Sequence, residues 1–378
     1  MINYYHLENF KSIKSMGLTF YPLTTFMGMN GAGKSSVIQS LLILRQSLLA
    51  QSSRNSLIHG DDRYNREVSL MTNGPLTGLG TAQDVLCQNA EENYIRMRLS
   101  FTDGTKFSAN FPIEEGRPDT YISGNYETTG TILEEALLSE RFAYLAAEHL
   151  GPKNIYSAYQ WNMSALNLLG NEGEYTVPFL GVNGEKINVP EAMHHPVAKT
   201  RSLIDETSAW MREVSSNIRM TAVYNAIEQT ANLNIAYDGK DMTTENISPV
   251  NVGFGIPYVL PLIVLLLNSK PGDLILIENP ESHLHPRGQA KIAELIARAV
   301  ANGAQIICET HSDHVINEFR VAVKNGIINK DDLGLDYFDR DVELDSTVTE
   351  ISVDAHGSLS EYPNGLLDEW GNLMAELI

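Results

Sequence analysis

Cysteine is almost missing from this chain: Cys87 and Cys308 are its two in 378 residues. They stand far apart, fit no metal-ligand spacing and cannot staple a fold of this length, so a reducing, cytoplasmic setting is expected. Positive charge is scarce too. The chain has 27 Lys and Arg against 47 Asp and Glu, a formal net charge of −20. That excludes a broad basic face of the kind from which non-specific DNA binding draws its affinity, though not a local basic groove. A protein partner suits such a chain better than a nucleic acid, and DNA contact is not indicated by the charge. No apolar run has membrane length: the longest, residues 258–267, contains Pro261 and covers about half a bilayer span. The opening MINYYHLENFKS lacks the basic start and apolar run of a secretory signal, so a soluble protein with no membrane contact is expected. Also missing are an HExxH pattern, internal repeats and sustained heptads, which excludes a zincin site, a solenoid and a long coiled-coil arm.

What is present fits a packed α/β core. Hydrophobic residues make up 43% of the chain, with 3 Trp, 16 Tyr and 11 Phe, enough to bury a large core. The stretch GMNGAGKSS (residues 28–36) satisfies G-x-x-x-x-G-K-[ST] in full. LTTFMG before it reads as a buried strand, and SSVIQSLLILRQSLL after it carries apolar residues at helical spacing through Leu49. In such a loop Gly28, Asn30, Gly31, Ala32 and Gly33 turn backbone N–H groups inward on phosphates, and the following helix adds its positive end. Lys34 reaches the β- and γ-phosphates. Ser35 offers its hydroxyl to Mg²⁺, with Ser36 beside it. ATP with Mg²⁺ is the expected ligand.

A second constellation begins at GDLILIENPE. Leu274 to Ile277 form the near-continuous apolar run of a strand buried on both faces, and Glu278 stands at its carboxyl end, where open α/β sheets place ligand-contacting groups. Glu278 is assigned to Mg²⁺. Asn279, which cannot take a proton, follows where many nucleotide hydrolases place an adjacent carboxylate. Pro280 ends the strand, and Glu281 is the remaining nearby carboxylate: either a general base or an acid stabilising the helix expected near Pro286. The next strand and loop, AQIICETHSDH, place His311 where it could sense the γ-phosphate and polarise a water. His283, His285, His311 and His314 draw the eye as a metal cluster, but their spacing does not support one. Upstream, Gly253 and Gly255 precede the apolar VLPLIVLLL and could present N–H groups to an anion; the alternative is an ordinary glycine turn before a core helix.

In order and character these elements resemble the ABC-type ATPases of the RecF, SMC and overcoming-lysogenisation-defect group, over nearly the whole chain. HLENFKSIKSMGLTF (6–20) resembles the opening strand and turn that approach the adenine, with Lys11 and Ser12 at the turn. FAYLAAEHLGP (142–152) continues the likeness to this group, while the GFG element, ENPE, HLHP and the tail EYPNGLLDEW (361–370) are similar to a bacterial ATPase family catalogued as a domain of unknown function, several relatives of which operate in anti-phage defence beside a separate nuclease. The resemblance implies an α/β fold: an ABC-type P-loop NTPase core with an antiparallel β subdomain and a mainly helical insertion. It implies one domain over 1–378, with core halves at 1–130 and 232–378 and the insertion, lid-like, at 131–231. It gives Glu278 the Walker B acid role and His311 the switch role. Gln83 becomes a Q-loop residue on metal or water, against the alternative of a polar surface loop. Gly253 and Gly255 correspond to the signature loop that crosses to a partner protomer's ATP, and His283-Leu284-His285 to the dimer-contacting D-loop.

Two positions depart from that pattern. Pro257-Tyr258 stand where relatives often carry Ser-Gln, and His149 stands where arginine is common. With Asn279 in the usual base position, slow turnover is predicted, since loss of a well-placed base costs about 10²–10⁴ in rate. The expectation is an ATP-linked homodimer that switches a separate effector, a nuclease in a defence module; the alternative is a RecF-like repair ATPase acting on DNA. Elsewhere, residues 66–112 read as antiparallel strands, 131–150 as an amphipathic helix and 208–231 as a long helix. LGLDYFDRDVELD (333–345) reads as a strand with solvated acids rather than as a nuclease centre.

Overall fold

A computed structural model describes residues 1–52, 66–159, 167–363, 365–367 and 369–377. The tail positions 364 and 368, and 160–166 of the segment expected as an insertion, therefore lie outside the described residues. The chain runs through β1 (Ile2–Phe10), β2 (Ile13–Thr19), β3 (Leu23–Gly28), α1 (Lys34–Ser52), β4 (Arg66–Met71), α2 (Ala82–Val85), β5 (Tyr94–Phe101), β6 (Lys106–Pro112) and β7 (Tyr121–Thr129). Next come β8 (Phe142–Leu145), β9 (Tyr156–Ser157), α3 (Thr176–Asn183), α4 (Leu203–Val214), β10 (Ile218–Asn225), β11 (Thr230–Tyr237), α5 (Gly255–Leu267), β12 (Leu274–Glu278) and α6 (Pro286–Ala301). It closes with β13 (Gln305–Glu309), α7 (Asp313–Lys324), β14 (Leu333–Arg340), β15 (Ser346–Ile351) and α8 (Glu369–Glu376). Two compact units result: residues 1–142, 331–353 and 359–378 form the first, and 143–330 with 354–358 the second.

In the first unit the alternating runs YIRMRLSF and KFSANFP form β5 and β6 of an antiparallel six-stranded sheet, ordered β2-β1-β5-β6-β7-β4. Ile95, Met97, Leu99, Phe107, Ala109 and Phe111 bury one face of it, as period-two alternation requires. β3 is buried along almost its whole length and pairs in parallel with β14, which pairs antiparallel with β15. The sequence 333–345 thus forms a strand and turn, but its acids are not all solvated as expected: Asp336 and Asp345 are buried. α1 starts at Lys34, directly after the glycine loop.

In the second unit β12 and β13 pair in parallel, and β8 lies beside β12. α5 is buried from Ile256 to Leu267, the signature of a helix apolar all round and enclosed by its neighbours. α6 and α7 each turn one apolar face inward, α6 with Ile292, Leu295 and Ile296, α7 with Val315, Ile316 and Phe319. A three-stranded sheet, β10-β11-β9, completes the unit.

Two helix expectations fail. Residues 131–150 form two 3-10 turns, Ile132–Glu134 and Ala136–Leu138, and then β8. The buried Arg45 of α1 donates from Nη1 to the carbonyls of Leu137 and Ser139 and lies 4.1 Å from the Phe142 ring centre, so a distant cation takes carbonyls that a helix would have used itself. Residues 208–231 end their helix at Val214. Ser215 caps it, Asn217 turns at φ 62°, and the alternation of IRMTAVYN and TANLNIAY makes the β10–β11 hairpin. The stretch 131–231, expected as a mainly helical insertion, does not stand alone: from residue 143 it packs with 232–330, and it holds strands as well as helices.

Candidate functional site

The predicted residues fall into two groups, one in each unit. In the first unit β3 ends at Gly28, which has φ 125° and pairs with Phe338 of β14; a Cβ at Gly28 would lie 2.1 Å from the Phe338 carbonyl oxygen. Gly33, at φ 107°, is as constrained: its Cβ would lie 2.4 Å from Ser346 Oγ. Only glycine fits such close approaches. Lys34 is 3% exposed and turns back over the loop, donating from Nζ to the carbonyls of Gly28 (2.9 Å) and Met29 (2.8 Å). A triphosphate would take over that ammonium from two neutral carbonyls, an exchange favoured by charge. Asn30 and Gly31 are exposed, Ala32 is buried, and Ser35 and Ser36 are half-buried at the start of α1.

Ser12 joins this loop. Its hydroxyl accepts from Ser346 Oγ at 2.7 Å, and its carbonyl accepts from Ser346 N at 2.7 Å. Lys11 donates instead to Gln39 Oε1 of α1 at 2.5 Å. Gln83 in α2 is exposed and donates to the Glu114 carbonyl at 3.2 Å. Arg340 and Ser346, which sequence reasoning missed, wall the loop: Arg340 Nε donates to the Gly31 carbonyl at 2.9 Å.

In the second unit Glu278 and Glu309 are register partners at the carboxyl ends of β12 and β13. Burial, and then the Glu309 carboxylate, push the Glu278 carboxyl up to about 7. Tyr144 of β8 donates to Glu278 Oε1 at 3.1 Å, and the Ala147 backbone also hydrogen-bonds this carboxylate. Burial likewise raises the Tyr144 phenol, so it stays a donor. Asn279 sits at φ 49° and donates its N–H to the Glu309 carbonyl at 2.8 Å, while its buried Oδ1 has no hydrogen-bond partner among the described residues. Two half-compensated acids in register and an orphaned amide oxygen fit a divalent cation and its water, which would relieve both.

Glu281 is committed to the loop after β13. Its Oε2 accepts from Thr310 Oγ1 and its Oε1 from the backbone N–H of His311, both at 2.7 Å. The structure therefore brings Glu281 and exposed His311 together through the backbone. Gly255 opens α5 with its Cα against the His283 carbonyl, and Gly253 is exposed two residues before. His283, at φ 61°, packs its ring on Phe254 and Tyr258, and His285 caps α6 by accepting from Arg287 N at 3.3 Å. Tyr144 and Glu309 were missed as functional residues. The position of Glu309 at the end of an apolar run was a usable signal, and that of Tyr144 was not.

Comparison with known proteins adds five findings. Residues 192–317 match the family described as "AAA domain, putative AbiEii toxin, Type IV TA system", and 328–377 match one described as "Protein of unknown function (DUF3696)". The chain is 22% identical over 344 residues to the Old nuclease of Escherichia phage P2, covering 82% of this chain but only 56% of that protein. Its fold resembles an SMC head bound to the C-terminal winged-helix domain of ScpA, with TM-score 0.53, 13% identity, and 93% and 98% of the two chains covered. A second SMC head, with an extended coiled coil and bound to the C-terminal domain of ScpA from Pyrococcus furiosus, gives TM-score 0.51, 14% identity, and 100% and 99% coverage.

Proposed function

We infer that this chain, an ABC-type P-loop ATPase by its fold and sequence matches, acts as a slow ATP-driven switch rather than as a fast hydrolase. The observation that carries this reading is the hydrogen bonding of the ENPE turn. The residue after the metal-assigned acid is Asn279, and both oxygens of the next carboxylate, Glu281, already accept bonds from the His311 loop. As general base, Glu281 would have to work through a carboxylate already engaged by two donors. The same bonds couple any shift of Glu281 to His311.

In this proposal Mg²⁺, when bound, supplies charge neutralisation at the phosphates. Lys34 holds the β- and γ-phosphates, with the backbone of 28–33 around them. Glu278 would hold the metal, with Asn279 orienting its water; Ser35 is likewise assigned to Mg²⁺, Lys11 and Ser12 would line the nucleotide end, and Gln83 would serve as an outer contact. Gly253 and Gly255 present N–H groups to the ATP of a second copy, which makes the switch a nucleotide-linked homodimer. The proposed output is control of a separate effector, a nuclease in a defence module. The match to a protein named Old nuclease supports the association. The acids of 339–345 support placing the nuclease elsewhere, because Asp341 Oδ1 is spent on the N–H groups of Glu343 and Asp345.

The test is steady-state phosphate release by the purified chain, with and without DNA, using Lys34→Ala as blank. We expect slow release, indifferent to DNA, that falls about 10²-fold or more in Glu281→Gln. An unchanged rate in Glu281→Gln removes its base role. Several-fold stimulation by DNA replaces the switch with a repair ATPase acting on DNA.

A further inference from the structure

The two positions that set this chain apart from its family pattern meet in the fold. The rings of His149 and Tyr258 stack with centroids 4.1 Å apart and planes 21° apart. His149 Nδ1 lies 2.6 Å from the Tyr258 carbonyl oxygen, and since a carbonyl only accepts, Nδ1 carries the proton. Burial holds the imidazole down at about 4, so it is neutral at ordinary pH. In return, the Tyr258 hydroxyl donates to the Ala147 carbonyl. The two residues thus grip each other at both ends of the segment 147–149, which has no regular secondary structure.

That segment carries the contacts to Glu278. The Ala147 backbone hydrogen-bonds the Glu278 carboxylate, and Tyr144, three residues earlier, donates to Glu278 Oε1. On its other side Tyr258 packs against the His283 ring at 4.8 Å, beside the ENPE turn, and Phe254 contacts the same ring at 4.8 Å. One aromatic group therefore touches the loop before α5, the turn after β12 and the segment that orients the acid.

We propose that His149 and Tyr258 form a clasp that positions Glu278 for its cation, through the Ala147 peptide and Tyr144. They are positioning residues, since neither touches the carboxylate. A carboxylate at a strand end needs donors held in fixed places to be ready for a metal. The clasp supplies that fixity. Outer contacts of this type commonly change metal affinity about 10- to 100-fold.

The inference rests on the metal role given to Glu278, and the experiment separates the two. Full-length Tyr258→Phe, His149→Ala and Glu278→Gln are compared with the parent protein. Tyr258→Phe keeps the buried ring and loses only the hydroxyl, with its bonds to Ala147 and Ser282, so it guards against a fold defect. The first readout is amide exchange without metal or nucleotide. We expect exchange in 144–150 to rise about tenfold in Tyr258→Phe and more in His149→Ala, with residues 23–36 unchanged. The second is the Mg²⁺ concentration for half-maximal phosphate release at saturating ATP. We expect it to rise about tenfold in the clasp variants, while binding of a fluorescent ATP analogue in EDTA stays the same. Unchanged exchange and unchanged Mg²⁺ dependence in both clasp variants, with a shift in Glu278→Gln, overturn the clasp alone. No shift in Glu278→Gln overturns the metal role and the clasp with it.

Discussion

Each unit holds a carboxyl whose proton affinity is strongly raised, Asp336 in the first and Glu278 in the second, and the two are placed differently. In the first unit Asp336 lies mid-strand in β14, in register with Phe26 and Glu350; burial, and then Glu350, push it up to about 8. Its buried Oδ2 has no hydrogen-bond partner among the described residues. In the second unit Glu278 ends its strand and is met by Tyr144 and Ala147. A raised carboxyl therefore does not by itself mark a functional site. Donors aimed at the charged form and a place at a strand's carboxyl end set Glu278, in our proposal a cation ligand, apart from an acid in mid-strand.

The widest separation should come from turnover. Glu278→Gln is expected to lower phosphate release about 10²- to 10³-fold, while Asp336→Asn stays within a few-fold of the parent. A comparable loss in both would erase the distinction. Next comes stability against pH. Asp336 keeps its proton in the folded chain to about pH 8, whereas its ordinary value is 3.8. The folded state then binds more protons across that window, so stability is greatest at its acid end and falls as pH rises, by an amount on the order of a few kcal/mol. Asp336→Asn should flatten that slope, seen as a smaller difference in Tm between pH 6 and pH 9. The smallest effect sharpens the contrast between loop and strand end. Arg340 is exposed, so Arg340→Ala should raise the ATP concentration for half-maximal release only about two- to fivefold, without moving the Mg²⁺ dependence.

Much of this was readable in the residues. LTTFMG, the glycine loop and α1 announce themselves within thirty residues, because the phosphate-binding loop is made of backbone and its sequence requirement is local. LILIE and QIICE were legible as buried strands for a similar reason. The failures share another cause. Residues 131–150 carry helix-forming Leu, Ala and Glu, yet Arg45 of α1 claims two of their carbonyls and FAYL becomes a strand. The helix expected at 208–231 was undone by Ser215 and by Asn217 in the left-handed region, local signals outweighed by apolar content. Tyr144, Arg340 and Ser346 could not be assigned, because their contacts span 134, 309 and 334 positions of sequence and no spacing rule reaches that far.

The glycine loop itself has a consequence for how the protein is made. Gly28 lies against Phe338, the Gly31 carbonyl is held by Arg340, and Gly33 lies against Ser346. The motif leaves the ribosome before its walls, which follow roughly 15–60 s later at translation rates of about 5–20 residues per second. Until the β14–β15 hairpin has been synthesised, the nascent chain carries the letters of a nucleotide site without its form. A message that stops short of that hairpin would yield a polypeptide with an intact motif and no enclosure for a phosphate.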